Sequence, residues 1–311
     1  MIAELDLQRA FSRVRGFTTN TPLIGDTFLN DLWDCEVYLK CEQKQSIGAF
    51  KIRGAANFAL QLSKEERHKG LVTHSSGNHA QAVAFMAHQL NVKAFVVMPN
   101  NSNKQKIKNA EKWGAEMFLC EPTIDARIET ANAIAEDRGS TIIPPFDHEW
   151  IVAGQATSAM EIIAEYGDLD YIITPLGGGG LLAGSTLAAH YFSPQTKVVG
   201  AEPKEASDGY DGFKSGTRVT NVNANTIADG LRTTVGKVPF EIIKAHSDDI
   251  WLAEEEHIIP WMYRIWSETK IIIEPSCAVP FAAMDVQKEK LKGKKIAVII
   301  TGGNVDLQNK P

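Results

Sequence analysis

Ser46-Ile47-Gly48-Ala49-Phe50-Lys51-Ile52-Arg53-Gly54 sets a single lysine in an apolar, glycine-flanked turn. An isolated lysine would read as an exposed helix residue. Here Ile47, Phe50 and Ile52 make a poor solvent-facing patch, and Gly48 and Gly54 let another backbone approach closely. A desolvated lysine has a lowered pKa and serves as nucleophile and base. Farther along, Pro175-Leu176-Gly177-Gly178-Gly179-Gly180-Leu181-Leu182 follows an apolar run and opens a helix. The backbone amides and helix dipole of such a turn suit a phosphate. A lysine amine condensed with an aldehyde cofactor, whose phosphate is anchored elsewhere, needs both parts. The pair therefore predicts a pyridoxal-phosphate enzyme acting on amino acids.

Other readings compete at these motifs. Gly178-x-Gly180-x-x-Ala183 also fits a dinucleotide fingerprint, with Glu202 placed where a ribose-binding acid would stand. That reading, a nicotinamide dehydrogenase, leaves Lys51 without a task. Ser75-Ser76-Gly77-Asn78-His79 lies where a strand turns into a helix. Its N–H groups suit an anion such as a carboxylate, or its Ser and Asn side chains simply cap the helix.

Composition narrows the class. The chain has 311 residues with 32 Lys+Arg against 38 Asp+Glu, a net charge of −6, which offers no general attraction to nucleic acid or an anionic membrane. Cys35, Cys41, Cys120 and Cys277 are scattered, with no Cys-x-x-Cys, against a zinc ribbon or redox pair. They read as thiols of a reducing compartment. The N-terminal segment is amphipathic, without a signal-peptide core, and no apolar run reaches membrane-span length. The expected location is the cytoplasm.

The pattern alternates strand and helix. Strands are expected at 37–39, 70–73, 92–98, 116–120 and 141–143, separated by helices at 50–62, 78–90, 103–113 and 124–138. A second set follows, with a helix from 155 to 166, strands at 171–174 and 197–201, a loop from 203 to 236, two late helices and a strand at 296–300. Such alternation predicts βαβ units and parallel sheets. Pro144-Pro145-Phe146-Asp147 is the best crossing point between sub-domains.

Lys40-x-Glu42-x-x-Gln45-x-x-Gly48-x-Phe50-Lys51-x-Arg53-Gly54 closely resembles the cofactor-lysine motif of the serine/threonine dehydratase and serine racemase family. These are pyridoxal-phosphate enzymes of fold type II, the tryptophan-synthase-β-like fold. The resemblance spans nearly the whole chain. It continues through Ser75 to Gln81, Ala153-Gly154-Gln155, the four glycines, Glu202-Pro203, Ile227-Ala228-Asp229-Gly230, Glu274-Pro275-Ser276 and Gly302-Gly303-Asn304-Val305-Asp306. It implies an α/β protein of two open twisted sheet domains with the active site in the cleft between them. A large domain of 1–51 and 147–311 would bind the cofactor, and a small mobile domain of 52–146 would bind substrate. A homodimer is implied as well.

The resemblance also implies roles. Lys51 condenses with the cofactor aldehyde and later takes the Cα proton. Phe50 packs on the cofactor ring, Asn78 meets its ring hydroxyl, Thr301 its ring nitrogen, and Gly177, Gly178, Gly179 and Gly180 its phosphate. Ser75, Ser76, Gly77, Asn78 and His79 take the substrate carboxylate. In racemases the residue matching Ser76 is the acid/base opposite the lysine. Glu202, Asp208 and the Ala206 carbonyl resemble a Mg²⁺ or Ca²⁺ site, although from spacing they also read as a solvated acidic turn. Arg127 resembles an arginine of racemase-like members, or is a surface residue.

The expected reaction is dehydration of serine or threonine to a 2-oxo acid and ammonia, possible together with serine racemisation. The alternatives are a 3-hydroxyaspartate dehydratase and, from another class, a non-catalytic protein of pyridoxal-phosphate homeostasis. Three positions depart from the family pattern: Ala49, where Ser or Thr is usual; Ala156, where Gly is usual; and Cys277, where a small residue is common.

Overall fold

The computed structural model describes residues 2–75, 77–102, 104–220, 224–308 and 310–311, with the side chains of 104–106 left aside. Ten strands form two sheets: β1 (Leu23–Gly25), β2 (Glu36–Cys41), β3 (Leu71–His74), β4 (Ala94–Pro99), β5 (Glu116–Cys120), β6 (Thr141–Ile142), β7 (Tyr171–Pro175), β8 (Lys197–Pro203), β9 (Asp249–Ala253) and β10 (Lys295–Ile300). The larger sheet runs β1-β2-β10-β7-β8-β9 and the smaller β5-β4-β3-β6. Only β1 is antiparallel to its neighbour. β2 pairs with β10 from Glu36↔Lys295 to Cys41↔Ile300, so the smaller sheet is inserted between two strands of the larger one.

The strand sequences explain the parallel arrangement. Ile296-Ala297-Val298-Ile299-Ile300 is buried throughout, and Ile172 and Ile173 of β7 are equally enclosed. A strand covered on both faces reads as an unbroken apolar run, as parallel sheets require. One face of the larger sheet carries Trp33, Trp261 and Phe281, with Trp33 and Trp261 centroids 5.3 Å apart. The other carries the helices Glu149–Tyr166 and Gly180–Phe192. Those two helices and Lys51–Ala59 stack closely. A Cβ at Gly154 would fall 2.6 Å from the Arg53 carbonyl, and one at Gly184 would fall 2.6 Å from the Ala156 nitrogen. The lysine helix and the helix after the glycine turn are thus both seated on Glu149–Tyr166.

Several expectations needed correction. The helix expected from 155 begins at Glu149, because His148 Nδ1 accepts from the Trp150 N–H at 3.0 Å and caps it. The loop expected over 203–236 contains the helix Asp208–Ser215. The strands β1 and β9 and the helices Thr27–Trp33 and Lys237–His246 were not expected. Cys35, Cys41 and Cys277 are buried free thiols, and Cys120 is half-buried. Among the described residues no helix is long and apolar enough to cross a membrane.

Candidate active site

Lys51 opens its helix directly after a short pairing of residues 48–50 with 301–303. Phe50 N–H donates to the Thr301 carbonyl at 2.9 Å, Gly303 N–H to the Gly48 carbonyl at 3.0 Å, and Ala49 bridges Gly302. This pairing fastens the lysine turn to the end of β10. Lys51 is half-buried. Its Nζ donates to the Pro145 carbonyl at 2.9 Å and lies 5.2 Å from the centre of the Phe50 ring. Burial pushes the amine down to about 8, and the Glu274 carboxylate partly opposes the shift.

The spacing Lys40-x-Glu42-x-x-Gln45 gains a physical meaning beneath the lysine. Arg53 is fully buried and donates to Glu42 at 2.7 Å from both Nε and Nη2, and to Glu161 at 2.8 and 2.7 Å. Lys40 Nζ lies 2.7 Å from the same Glu161, and Gln45 donates to Glu42 at 3.2 Å. Burial would raise the Glu42 carboxyl, but Arg53 beside it prevails and holds it below the usual range. Two cations and two anions thus form a closed cluster under the helix that carries Lys51.

The four glycines end β7 and start the Gly180–Phe192 helix, whose N-cap is Gly179 at φ +83°. No side chain caps this end. A Cβ at Gly178 would fall 2.3 Å from the Phe146 ring, and one at Gly179 would fall 2.9 Å from Pro239. Only glycines fit the cradle, and the surface that remains is backbone N–H at a helix N-terminus. That donor set fits a phosphate. Consecutive residues connect the cradle to the lysine: the Pro145 carbonyl holds Lys51, and the next residue, Phe146, packs on Gly178.

The second anion turn reaches Lys51 by another route. The N-cap of Asn78–Leu90 is Gly77, which has no side chain to cap with. Asn78 instead donates to Glu274 at 2.9 and 3.2 Å and accepts from Asn304 at 2.8 Å. Glu274 therefore faces both Asn78 and Lys51. Sequence reading gave it no role, although Glu274-Pro275-Ser276 was the available signal. Thr301 Oγ1 lies 3.0 Å from Cys277 Sγ.

Residues 14–302 match the family described as pyridoxal-phosphate dependent enzyme. The chain belongs to that family. It is 40% identical over 304 residues to the L-threo-3-hydroxyaspartate ammonia-lyase of Saccharomyces cerevisiae, covering 97% of this chain and 93% of that protein. It is 41% identical over 304 residues to the serine racemase of Schizosaccharomyces pombe, covering 97% and 94%. The solved structure of serine racemase from Dictyostelium discoideum superposes with a TM-score of 0.92 at 41% identity, covering 97% of this chain and 98% of that one. The fold is type II, and pyridoxal phosphate is the cofactor. The dinucleotide reading falls with this finding, and Glu202 is occupied otherwise.

Glu202 is buried and accepts from Gly209 N–H at 3.0 Å and Tyr210 N–H at 2.8 Å, at the start of Asp208–Ser215. Asp208 accepts from Val235 N–H at 2.8 Å. Burial, then the neighbouring Asp208, holds the Glu202 carboxyl well above its usual range. The Asp208 carboxyl is raised to about 6, chiefly by burial. The turn is thus enclosed rather than solvated. Among the described residues no group of three or more His, Cys, Asp or Glu is placed to hold a metal.

His79 is buried, and its Nε2 lies 3.0 Å from the Ile143 carbonyl, so Nε2 carries the proton. Burial, then Lys51, pushes the ring down to about 3, and it stays neutral. The side chain is committed to the end of the small sheet, and what His79 offers an anion is helix-terminal backbone. Arg127 is half-buried, with its Nε 3.4 Å from the Thr123 carbonyl. It lies near enough to His74, at the end of β3, to add to the burial that lowers that imidazole's pKa. Arg127 therefore stands beside the strand that feeds the 75–79 loop. Ser76 lies outside the described residues.

Proposed function

We propose that this enzyme removes water from a β-hydroxy amino acid, releasing a 2-oxo acid and ammonia, with racemisation of serine as a parallel outcome. The supporting observation is Lys51, an amine held near 8, joined to the glycine cradle through Pro145 and Phe146 and to the Asn78 turn through Glu274. Pyridoxal phosphate, when bound, supplies an electron sink for charge developing at the substrate Cα. Gly177 to Gly180 would hold its phosphate, Phe50 its ring face, Asn78 its ring hydroxyl and Thr301 its ring nitrogen.

The backbone of Ser75, Gly77, Asn78 and His79 binds the substrate carboxylate. Lys51 Nζ takes the Cα proton, and Ser76 is the opposed acid/base. The Cβ–O bond breaks and its oxygen leaves as water. An equivalent of water returns in the hydrolysis that frees ammonia. The small unit, 52–146, closes on the substrate and excludes solvent. Release of ammonia and a 2-oxo acid from serine, threonine or 3-hydroxyaspartate tests the reading, and its absence with all three would sink it. In Ser76→Ala, racemisation and use of one serine enantiomer should disappear while elimination from the other continues. Chiral chromatography reads this, and equal loss of every activity would make Ser76 merely structural.

Arg127 favours 3-hydroxyaspartate as the preferred substrate. A guanidinium beside the carboxylate-binding loop can take a second carboxylate through two parallel hydrogen bonds. Arg127→Ala is expected to lower kcat/KM for 3-hydroxyaspartate about tenfold to a hundredfold, with smaller effects on serine and threonine. Equal losses for all three would show that Arg127 does not read the side chain.

The reading also includes Mg²⁺ or Ca²⁺ held by Glu202, Asp208 and the Ala206 carbonyl. These are hard oxygen donors, and a cation would relieve the repulsion between the two buried carboxylates. Saturating metal should stabilise the fold by about 3 kcal/mol when present at a hundredfold excess over its Kd. A chelator that changes neither melting temperature nor activity would reduce the pair to structural carboxylates.

A further inference from the structure

Three segments meet where β10 ends: residues 48–50, the first turn of Pro275–Val286, and residues 301–303. Cys277 is completely buried among them. Its Sγ lies 3.0 Å from Thr301 Oγ1 and 3.1 Å from the Gly302 carbonyl, and it accepts from Gly302 N–H at 3.2 Å. Burial, then Glu274, pushes the thiol up to about 12, so it keeps its proton.

Two hydroxyl-type protons must be placed in this group. The S–H has two acceptors in reach, Thr301 Oγ1 and the Gly302 carbonyl, and the carbonyl already accepts from Glu274 N–H at 3.1 Å. With the S–H on the Gly302 carbonyl, the threonine O–H rests on sulfur. With the S–H on Thr301 Oγ1, the threonine proton is free for an acceptor in front of it. The same heavy atoms satisfy both arrangements without moving, so neither leaves a buried polar atom orphaned.

We propose that Cys277 is a positioning residue: its S–H donates to Thr301 Oγ1 and so aims the Thr301 hydroxyl proton at the cofactor's ring nitrogen. The inference rests on the reading above that places Thr301 at that nitrogen. A hydroxyl that accepts one hydrogen bond is a better donor in the next, because the chain polarises cooperatively. The thiol stays neutral, so the ring nitrogen receives a hydrogen bond and not a full proton. That keeps the ring a moderate electron sink, suited to expelling a β-hydroxyl promptly.

The test strips the cofactor from wild type, Cys277→Ala, Cys277→Ser, Thr301→Val and the Cys277→Ala/Thr301→Val double variant. Each apoprotein is titrated with pyridoxal phosphate, following affinity and the visible absorbance of the lysine-bound cofactor. Cys277→Ala should weaken binding about twofold to tenfold, the range of one hydrogen bond, and shift the absorbance in the same direction as Thr301→Val. Cys277→Ser, which keeps a donor, should stay within about twofold of wild type. The double variant should be no worse than Thr301→Val alone, because the thiol acts only through the hydroxyl. The proposal is overturned if Cys277→Ala lowers the apoprotein melting temperature but leaves affinity and absorbance unchanged, or if the double variant shows the summed loss. If Thr301→Val itself changes neither readout, the placement of Thr301 fails, and this inference with it.

Discussion

Lys51→Ala protein is expected to carry no cofactor that borohydride can fix, and to eliminate water from serine at least about 10²- to 10⁴-fold more slowly, from loss of the base alone. In wild type, reduction and peptide mapping should place the cofactor on Lys51. The structure adds a pH signature. Burial lowers the Lys51 amine to about 8, so in the apoprotein it is protonated and inert below that value and nucleophilic above it. Labelling by an amine-reactive reagent should therefore rise with a midpoint near 8 at this site. Exposed lysines should rise only near their ordinary value of about 10.4. A reducible adduct that persists in Lys51→Ala, or a Lys51 midpoint at the exposed value, would overturn the assignment.

The second large effect lies beneath the chemistry. Glu161 is the shared partner of Lys40 and Arg53, at 2.7 Å from each. Both cations are completely buried. Glu161→Ala leaves two buried cations facing Glu42 alone. Removing one partner from a buried ion pair costs about 3–5 kcal/mol, because the remaining charge has no water to replace it. Denaturant unfolding of the apoprotein should show that loss, and a change under about 1 kcal/mol would mean that solvent or a rearranged Glu42 compensates. Arg53 shares a helix with Lys51, so the variant should also bind pyridoxal phosphate more weakly. The cluster thus links the stability of the fold to the placement of the catalytic amine.

Much of this protein was legible in short stretches of chain. The apolar turn around Lys51, the four glycines after an apolar strand and the alternation of strand and helix are local patterns, and each carries its own physical cause. A run of Ile and Val buried on both faces predicts a parallel strand, and the 124–138 helix was read to its final residues because Thr123 and Gly139 punctuate it. Several motifs in order were enough to identify the family. Tertiary structure decided what lies between them. Glu274 reaches Asn78 across 196 residues, and Arg53 reaches Glu161 across 108. Pro145 and Phe146 looked like a plain crossing and prove to join Lys51 to the glycine cradle. The edge strands β1 and β9 are short, and pairing with neighbours distant in sequence gives them their form. Cys277 looked like a small departure until β10 delivered Thr301 beside it. The physical reason is common to these cases. Periodicity and turn chemistry report on neighbours within a turn or two of chain, whereas crossover connections and close helix packing choose the distant partners, and those partners set the charge and proton positions at the site.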